Sequence, residues 1–222
     1  YYAKTSKGWI FASQYDQIFK HPWFNKSKKV NIQALSEYFQ LGYIPAPNAL
    51  FLNSWMVEPG HYYVIDLQSN LKIIPYFSIN DNIGNLEENS SIAVEKLNQN
   101  LISVFPDYRH SDVPISSFLS GGIDSPLIAS IISKKVPDLT AFTISSTHSD
   151  IDESNYASKI ADHLNINHFI EPFNFPDVTK WLDDHFLAYS EPFSDFSSLP
   201  SFLICKQASI HYKVTLSGDG AD

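Results

Sequence analysis

The stretch that most constrains the fold is Ser117-Phe118-Leu119-Ser120-Gly121-Gly122-Ile123-Asp124-Ser125-Pro126. An apolar run breaks at two glycines, and a proline follows where the first turn of a helix tolerates a missing N–H. That is a strand turning directly into a helix. The alternation continues on both sides. Helices are expected at about 88–105 (Ile92, Val94, Leu97, Leu101, Val104), from Pro126 to Lys134, at about 153–164 (Tyr156, Ile160, Leu164), and near 176–189 and 199–211. Strands are expected at Ile115–Leu119, Leu139–Ile144, near His168–Glu171 and at Lys213–Leu216. Strands and helices alternating at this length predict an α/β fold, a doubly wound parallel sheet. Such sheets bind ligands beyond the carboxyl ends of their strands.

The first third reads differently. Asn31 is placed to cap a helix at about 31–41 with Ile32, Leu35, Tyr38 and Phe39 on its apolar side, and Gly42 suits a left-handed C-terminal cap. Glu58-Pro59-Gly60 predicts a hairpin turn between Trp55-Met56-Val57 and His61–Ile65, with a third strand at Leu71–Phe77. His21 and His61 are expected on the surface or in packing roles. Residues 78–90 turn polar and Asn-rich, as a linker does, so the chain divides into 1–77, a linker at 78–90, and 91–222.

Composition removes several classes. Fifteen Lys+Arg against 24 Asp+Glu leave a net charge of −9, which offers no general attraction to nucleic acid or anionic lipid. Apolar runs such as Leu127–Ile132 fall far short of the roughly 20 residues that span a bilayer, and no leader opens the chain, so a cytoplasmic location and no membrane partner are expected. The single cysteine, Cys205, excludes an internal disulfide framework and is expected to be buried among Phe202, Leu203 and Ile204. The eight histidines show no ligand-like spacing. The chain opens at Tyr1 with Met56 its only methionine and stops inside a Gly-rich segment, and is read as an internal fragment, inactive by itself.

The loop after the Ile115–Leu119 strand carries chemistry. Gly121 and Gly122 remove side chains that would block a phosphate from the backbone amides, Ser120 and Ser125 add hydroxyls, and the helix dipole favours negative charge. The Walker lysine is absent, so this is not an ordinary γ-phosphate-cleaving loop. Asp124 inside such a nest would repel phosphate unless a cation intervened, which implies Mg²⁺. The competing reading is a tight turn with Asp124 or Ser125 as N-cap. A second loop, Ser217-Gly218-Asp219-Gly220-Ala221-Asp222, also follows a predicted strand, and two such loops on one sheet favour the anion site. Asp222 is the better second metal-facing carboxylate, because Asp219 could hold the turn.

Ser-Gly-Gly-Ile-Asp-Ser resembles the pyrophosphate loop of the ATP pyrophosphatases, and Ser-Gly-Asp-Gly-Ala-Asp resembles the second motif of the glutamine-hydrolysing asparagine synthetases. Phe142-Thr143-Ile144, Asp152-Glu153-Ser154 with Tyr156-Ala157, His168, and Glu191–Pro200 with Ala208 are similar to that family in order and spacing. Tyr1-Tyr2-Ala3, Phe11-Ala12-Ser13, Leu41–Pro47 and Pro59–Tyr62 look like the end of its glutaminase domain.

The resemblance implies that 1–77 is the C-terminal part of a type-2 glutamine amidotransferase domain and 91–222 the N-terminal part of a synthetase domain. It implies an ATP-dependent ligase: ATP adenylates the aspartate side-chain carboxylate, and ammonia from glutamine gives asparagine, AMP and pyrophosphate. Ser120, Gly121, Gly122, Asp124 and Ser125 would hold pyrophosphate, Asp124 with Asp222 would hold Mg²⁺, and Leu119, Ile144, Ser217 and Gly218 would contact adenosine, mostly through backbone groups. ATP, glutamine and aspartate or another carboxylate are the implied small-molecule partners, and a homodimer of the full-length protein is the assembly it allows. Relatives with these loops also amidate sugars or peptides or close lactam rings, so the acceptor stays open, and a non-catalytic nucleotide-binding module is the contrasting class. A sulfur-transferring, tRNA-modifying pyrophosphatase would want reactive cysteines and a basic face, which one cysteine and a charge of −9 do not supply.

Overall fold

The computed structural model describes residues 1–82, 84, 89–108, 111–146, 152–173 and 175–220. The chain forms two compact units, one of Tyr1–Leu86 with Asp183–Phe196, the other of Glu87–Leu182 with Ser197–Asp222. The boundary near residue 86 lies inside the stretch that reads as a linker. Residues 183–196, which the sequence assigns to the second part, belong to the first unit.

In the first unit, β1 (Tyr2–Thr5) is the centre of an antiparallel sheet between β2 (Gly8–Phe11) and β3 (Ser54–Trp55). Helix α1 (Tyr15–Lys20) follows β2, and α2 (Ile32–Leu41) is capped as expected: Asn31 Oδ1 accepts from Gln33 N–H, and Gly42 takes φ 81°. Of the α2 residues only Ala34 is buried, while Ile32, Phe39 and Leu41 are exposed.

The hairpin differs from expectation. β4 (His61–Ile65) pairs with β5 (Leu71–Pro75), and Trp55 pairs with Tyr2 instead of crossing the 58–60 turn. The closing turn is built on Asp66, whose Oδ1 accepts from Gln68 and Asn70 N–H and whose Oδ2 accepts from the Asn70 amide, while Ser69 adopts φ 66°. An Asx turn closes this hairpin without the usual glycine.

Tyr15 is the centre of the core, fully buried with Ile18, Phe24, Ala3 and Ala49. Ser54 Oγ donates to Phe51 O at 2.6 Å, so the Tyr15 hydroxyl donates to Ser54 Oγ at 2.7 Å while accepting from Phe51 N–H at 2.9 Å. Burial pushes its pKa up to about 12. Gln14, the N-cap of α1, makes no side-chain bond, and the Tyr15 N–H is satisfied by Ser190 Oγ at 3.1 Å.

This bond, with Ser194 N–H to Gly42 O at 2.7 Å, explains why 183–196 lies in the first unit. Glu191 completes the attachment: its carboxylate accepts from Leu50 N–H at 2.8 Å and from the Tyr1 hydroxyl at 2.9 Å. Desolvation raises its pKa, and the two donors pull the other way.

In the second unit α3 (Ser90–Tyr108) leads into a β/α alternation: β6 (Ile115–Phe118), α4 (Asp124–Ser133), β7 (Thr140–Ser146), α5 (Ser154–Leu164) and β8 (Asn167–Phe173). Then come α6 (Leu182–Ala188), through which the chain passes to the first unit, α7 (Ser198–Ala208) and β9 (Val214–Leu216). The single helix expected at 176–189 is instead a 3₁₀ stretch, Phe175–Lys180, followed by α6.

The four strands are parallel in the order β8-β7-β6-β9. The chain steps outward from β6 to β7 to β8 and then adds β9 on the other side of β6, so the order reverses between β6 and β9. Ala129, Ala141, Ala157 and Ala161, all buried around Leu119, let α4 and α5 approach the sheet closely. Ile115, Ile132 and Leu139 form the adjoining cluster. Among the described residues no helix is long and apolar enough to cross a membrane.

Cys205 corrects an expectation, being exposed. It shares with Ser201 and Ser209, four residues to either side, the solvent face of α7, whereas Ser198 and Ala208 are the residues that face inward. Partial desolvation, with the charge of Asp219, raises the thiol pKa.

Glu191→Ala leaves the Leu50 amide and the Tyr1 hydroxyl without their acceptor and should cost about 2 kcal/mol of stability. Thermal unfolding of the purified chain checks this; a variant melting with the wild type would show that 183–196 is held by other contacts.

Candidate functional site

Both Gly-rich loops leave the carboxyl end of the sheet at the reversal point, from strands that are direct neighbours: Ile115 pairs with Val214, Ser116 with Thr215, Ser117 with Leu216. The hydroxyls of Ser116 and Thr215 share a 2.8 Å hydrogen bond between these strands. Leu119 N–H donates to Phe142 O at 2.9 Å, tying the first loop to β7, and Ile144 lies two residues further along that strand. The Leu119 side chain is in the core, so only its backbone faces the loop region.

The first loop is closed by its own hydroxyls. Ser120 N–H donates to Ser125 Oγ at 2.8 Å, the two hydroxyls lie 2.9 Å apart, and Gly122 N–H donates to Ser120 Oγ at 3.1 Å. Helix α4 begins at Asp124 with Ile123 as N-cap and no side-chain capping bond. Asp124 and Ser125 therefore do not serve as the N-cap that the tight-turn reading requires. Ser125 holds the loop shut, and Asp124 is exposed at the helix start.

The second loop is pressed against that start. A Cβ on Gly218 would lie 2.6 Å from Ser125 N and 2.9 Å from Asp124 Cβ, so a side chain at this position would displace backbone. The loops form one surface. Ser217 Oγ accepts from Asp219 N–H at 3.3 Å, so a serine hydroxyl supports this turn. Asp219 is exposed, and Asp222 lies outside the described residues.

Thus Leu119, Ser120, Gly121, Gly122, Asp124, Ser125, Ser217 and Gly218 are brought together, with Ile144 on the adjacent strand. A cavity of about 340 Å³ beside Glu191 in the first unit, and one of about 470 Å³ between α3 and α4 in the second, contain none of them.

Among the described residues no three His, Cys, Asp or Glu side chains converge as a metal site. Backbone amides and hydroxyls suit phosphate, and the exposed carboxylate of Asp124 at the helix start suits a hard cation carried in by polyphosphate.

Three residues with no role in the sequence reading belong here. Glu153 Oε2 accepts from Gly121 N–H at 2.9 Å. Buried Thr143 donates its hydroxyl to Leu119 O at 2.6 Å. His168 Nε2 lies 2.7 Å from the same hydroxyl, and because its one proton goes to Leu119, the imidazole must be the donor, with its proton on Nε2. The available signal was that all three fall in segments similar to the family in order and spacing: Thr143 lies in the middle of β7, His168 near the start of β8, and Glu153 is the N-cap of α5.

The sequence model of the asparagine synthase family matches residues 107–222, just over half of the chain and both loops. Over its whole length the chain is 27% identical to the putative glutamine-hydrolysing asparagine synthetase 2 of Methanocaldococcus jannaschii, covering 43% of that protein. Over 87% of its length it is 29% identical to glutamine-hydrolysing asparagine synthetase 1 of Bacillus subtilis (strain 168), covering 30% of it. The chain thus spans less than half the length of these curated relatives. Among solved structures, a glutamine-dependent NAD⁺ synthetase from Acinetobacter baumannii in complex with ADP aligns with 75% of the chain and 31% of its own, at 17% identity and a TM-score of 0.42.

Desolvation lowers the His168 pKa below its ordinary value, with the Asp162 charge opposing. The unfolded chain therefore binds the proton more readily, and the stability this neutral imidazole confers is complete above the ordinary histidine range and lost as pH falls through it. Between about pH 7 and 5 the wild type should lose more thermal stability than His168→Gln, whose amide can still donate to Thr143. Parallel losses in the two proteins would show that His168 does not titrate against the fold.

Proposed function

Because the chain belongs to the asparagine synthase family, we propose that it is part of an ATP-dependent, glutamine-hydrolysing ligase that converts aspartate to asparagine, releasing AMP and pyrophosphate. The observation that carries this reading is the seating of Gly218 on Asp124 and Ser125, which makes two Gly-rich loops one surface at the reversal of strand order. The names of the curated relatives give asparagine as their product and glutamine as the molecule they hydrolyse, and aspartate is the acceptor this reading draws from that product. In this reading 1–77 is the C-terminal part of a glutaminase domain, 78–90 a linker and 91–222 the N-terminal part of the synthetase domain. Residues 183–196, contributed from the latter stretch, complete the first unit. The protein works in the cytoplasm as a homodimer on small molecules, with no nucleic acid or membrane partner.

The chemistry needs an enzyme that makes pyrophosphate a good leaving group. The amides of Ser120, Gly121 and Gly122 are spent on Ser125, Glu153 and Ser120 and shape the loop. The β- and γ-phosphates are therefore bound by the amides of Ile123, Asp124 and Ser125 at the helix start, with the serine hydroxyls and the room the glycines leave, where charge develops as the bond to the α-phosphate breaks. Asp124 and Asp222 would hold Mg²⁺, which neutralises polyphosphate charge and removes the repulsion Asp124 would otherwise exert. The backbones of Leu119, Ile144, Ser217 and Gly218 line the adenosine side. Thr143 and His168 orient the Leu119 carbonyl from beneath. None of these groups forms a covalent bond to substrate: they bind, orient and stabilise charge.

In the full-length protein Asp124→Asn keeps the shape and removes the charge. ATP–pyrophosphate exchange should fall on the order of a hundredfold, while glutamine hydrolysis persists. Equal loss of both activities would mark Asp124 as structural. Exchange that is absent from the wild type itself would favour an inactive nucleotide-binding module, and amidation of a sugar or peptide in place of aspartate would move the acceptor.

A further inference from the structure

We propose that Glu153 is a positioning residue of the nucleotide site, fixing the first glycine of the Ser120–Ser125 loop so that the remaining amides are set for pyrophosphate. The proposal rests on the nucleotide reading above. The Glu153 carboxylate accepts from Gly121 N–H at 2.9 Å across 32 residues of chain. Both sides of that bond are anchored. A Cβ on Gly121 would come within 2.9 Å of Tyr156 Cβ and 3.1 Å of Glu153 Cβ, so the loop lies directly on the first turn of α5 and its amide has little room to turn elsewhere.

Glu153 is held in turn. Its carbonyl accepts from Tyr156 and Ala157 N–H at 3.0 Å each. The preceding Asp152 accepts from Ser154 N–H and Oγ and from Ser146 N–H at the end of β7, contacts that hold its pKa below the usual carboxylate range.

Glu153 itself is exposed, so folding alone does not require its carboxylate to sit on a loop amide. A carboxylate beside a polyphosphate is electrostatically costly, whereas the hydrogen bond needs only an acceptor oxygen. Acceptor and charge are therefore separable. Glu153→Ala removes both, and Glu153→Gln keeps the acceptor and removes the charge.

The test is isothermal titration of the full-length protein with Mg-pyrophosphate, Mg-ATP and AMP, alongside thermal unfolding of each variant. Glu153→Ala should bind Mg-pyrophosphate and Mg-ATP about tenfold more weakly, with AMP affinity and melting temperature unchanged, and Glu153→Gln should restore binding to the wild-type level or better. Wild-type affinity in Glu153→Ala, equal weakening for AMP, or a Gln variant as weak as Ala would overturn the proposal. The last result would mean that charge, as in metal ligation, is what matters. Wild-type protein that binds none of the three would bring down the nucleotide reading and this proposal with it; a binding wild type with an unaffected Ala variant overturns the proposal alone.

Discussion

The contact between Gly218 and the Asp124–Ser125 backbone sets how the two Gly-rich loops of the second unit lie against each other. Two loops from adjacent parallel strands diverge unless something holds them together, and here the backbone of one occupies the space a side chain on it would fill. The requirement is met twice, since Gly121 is seated on α5 as Gly218 is on α4. The two glycines are pressed against two helix starts, which fixes the path of both loops, and donors held in place are what a charged leaving group exploits. Beneath them, the Leu119–Phe142, Thr143–Leu119 and Ser116–Thr215 bonds tie the loop-bearing strand to both neighbours.

The first unit depends on a different device. Its sheets are short, and much of their order comes from side chains that satisfy backbone groups: Tyr15 and Ser54 for Phe51, Ser190 for the start of α1, Glu191 for Leu50. Two of these four side chains come from 183–196, so the first unit is completed by a stretch more than a hundred residues beyond the groups it bonds, Tyr15 and Leu50.

Much of the second unit was legible because its signals are local. Two glycines between an apolar run and a proline define strand, loop and helix in ten residues, and Asn31 with Gly42 bounds α2 in the same way. What escaped depends on partners far apart in sequence. β1 and β2 are four-residue strands with no strong alternation, and the 61–75 hairpin turns on an Asx motif where Pro59-Gly60 drew attention to the wrong place. The place of 183–196 in the first unit follows from single hydrogen bonds to Tyr15, Leu50 and Gly42, which no periodicity encodes. Cys205 was misjudged because its apolar neighbours suggested burial while its four-residue relation to Ser201 and Ser209 pointed outward. In the site, nine of the ten predicted residues lie in or beside the two loops and on the adjoining strand, with Asp222 outside the described residues, while Glu153, Thr143 and His168, present in the family-like segments, gain their contacts with the loop only once α5, β7 and β8 are set beside it.

The central claim is that the two loops make one polyphosphate site. A crystal structure of the full-length protein grown with Mg²⁺ and pyrophosphate tests it most directly. The account predicts pyrophosphate against the Ser120–Ser125 loop, on the Ile123, Asp124 and Ser125 amides and the serine hydroxyls, with a cation between it and Asp124 and the Ser217–Gly218 backbone alongside. Pyrophosphate bound elsewhere on the protein, with these two loops occupied only by solvent, would contradict it.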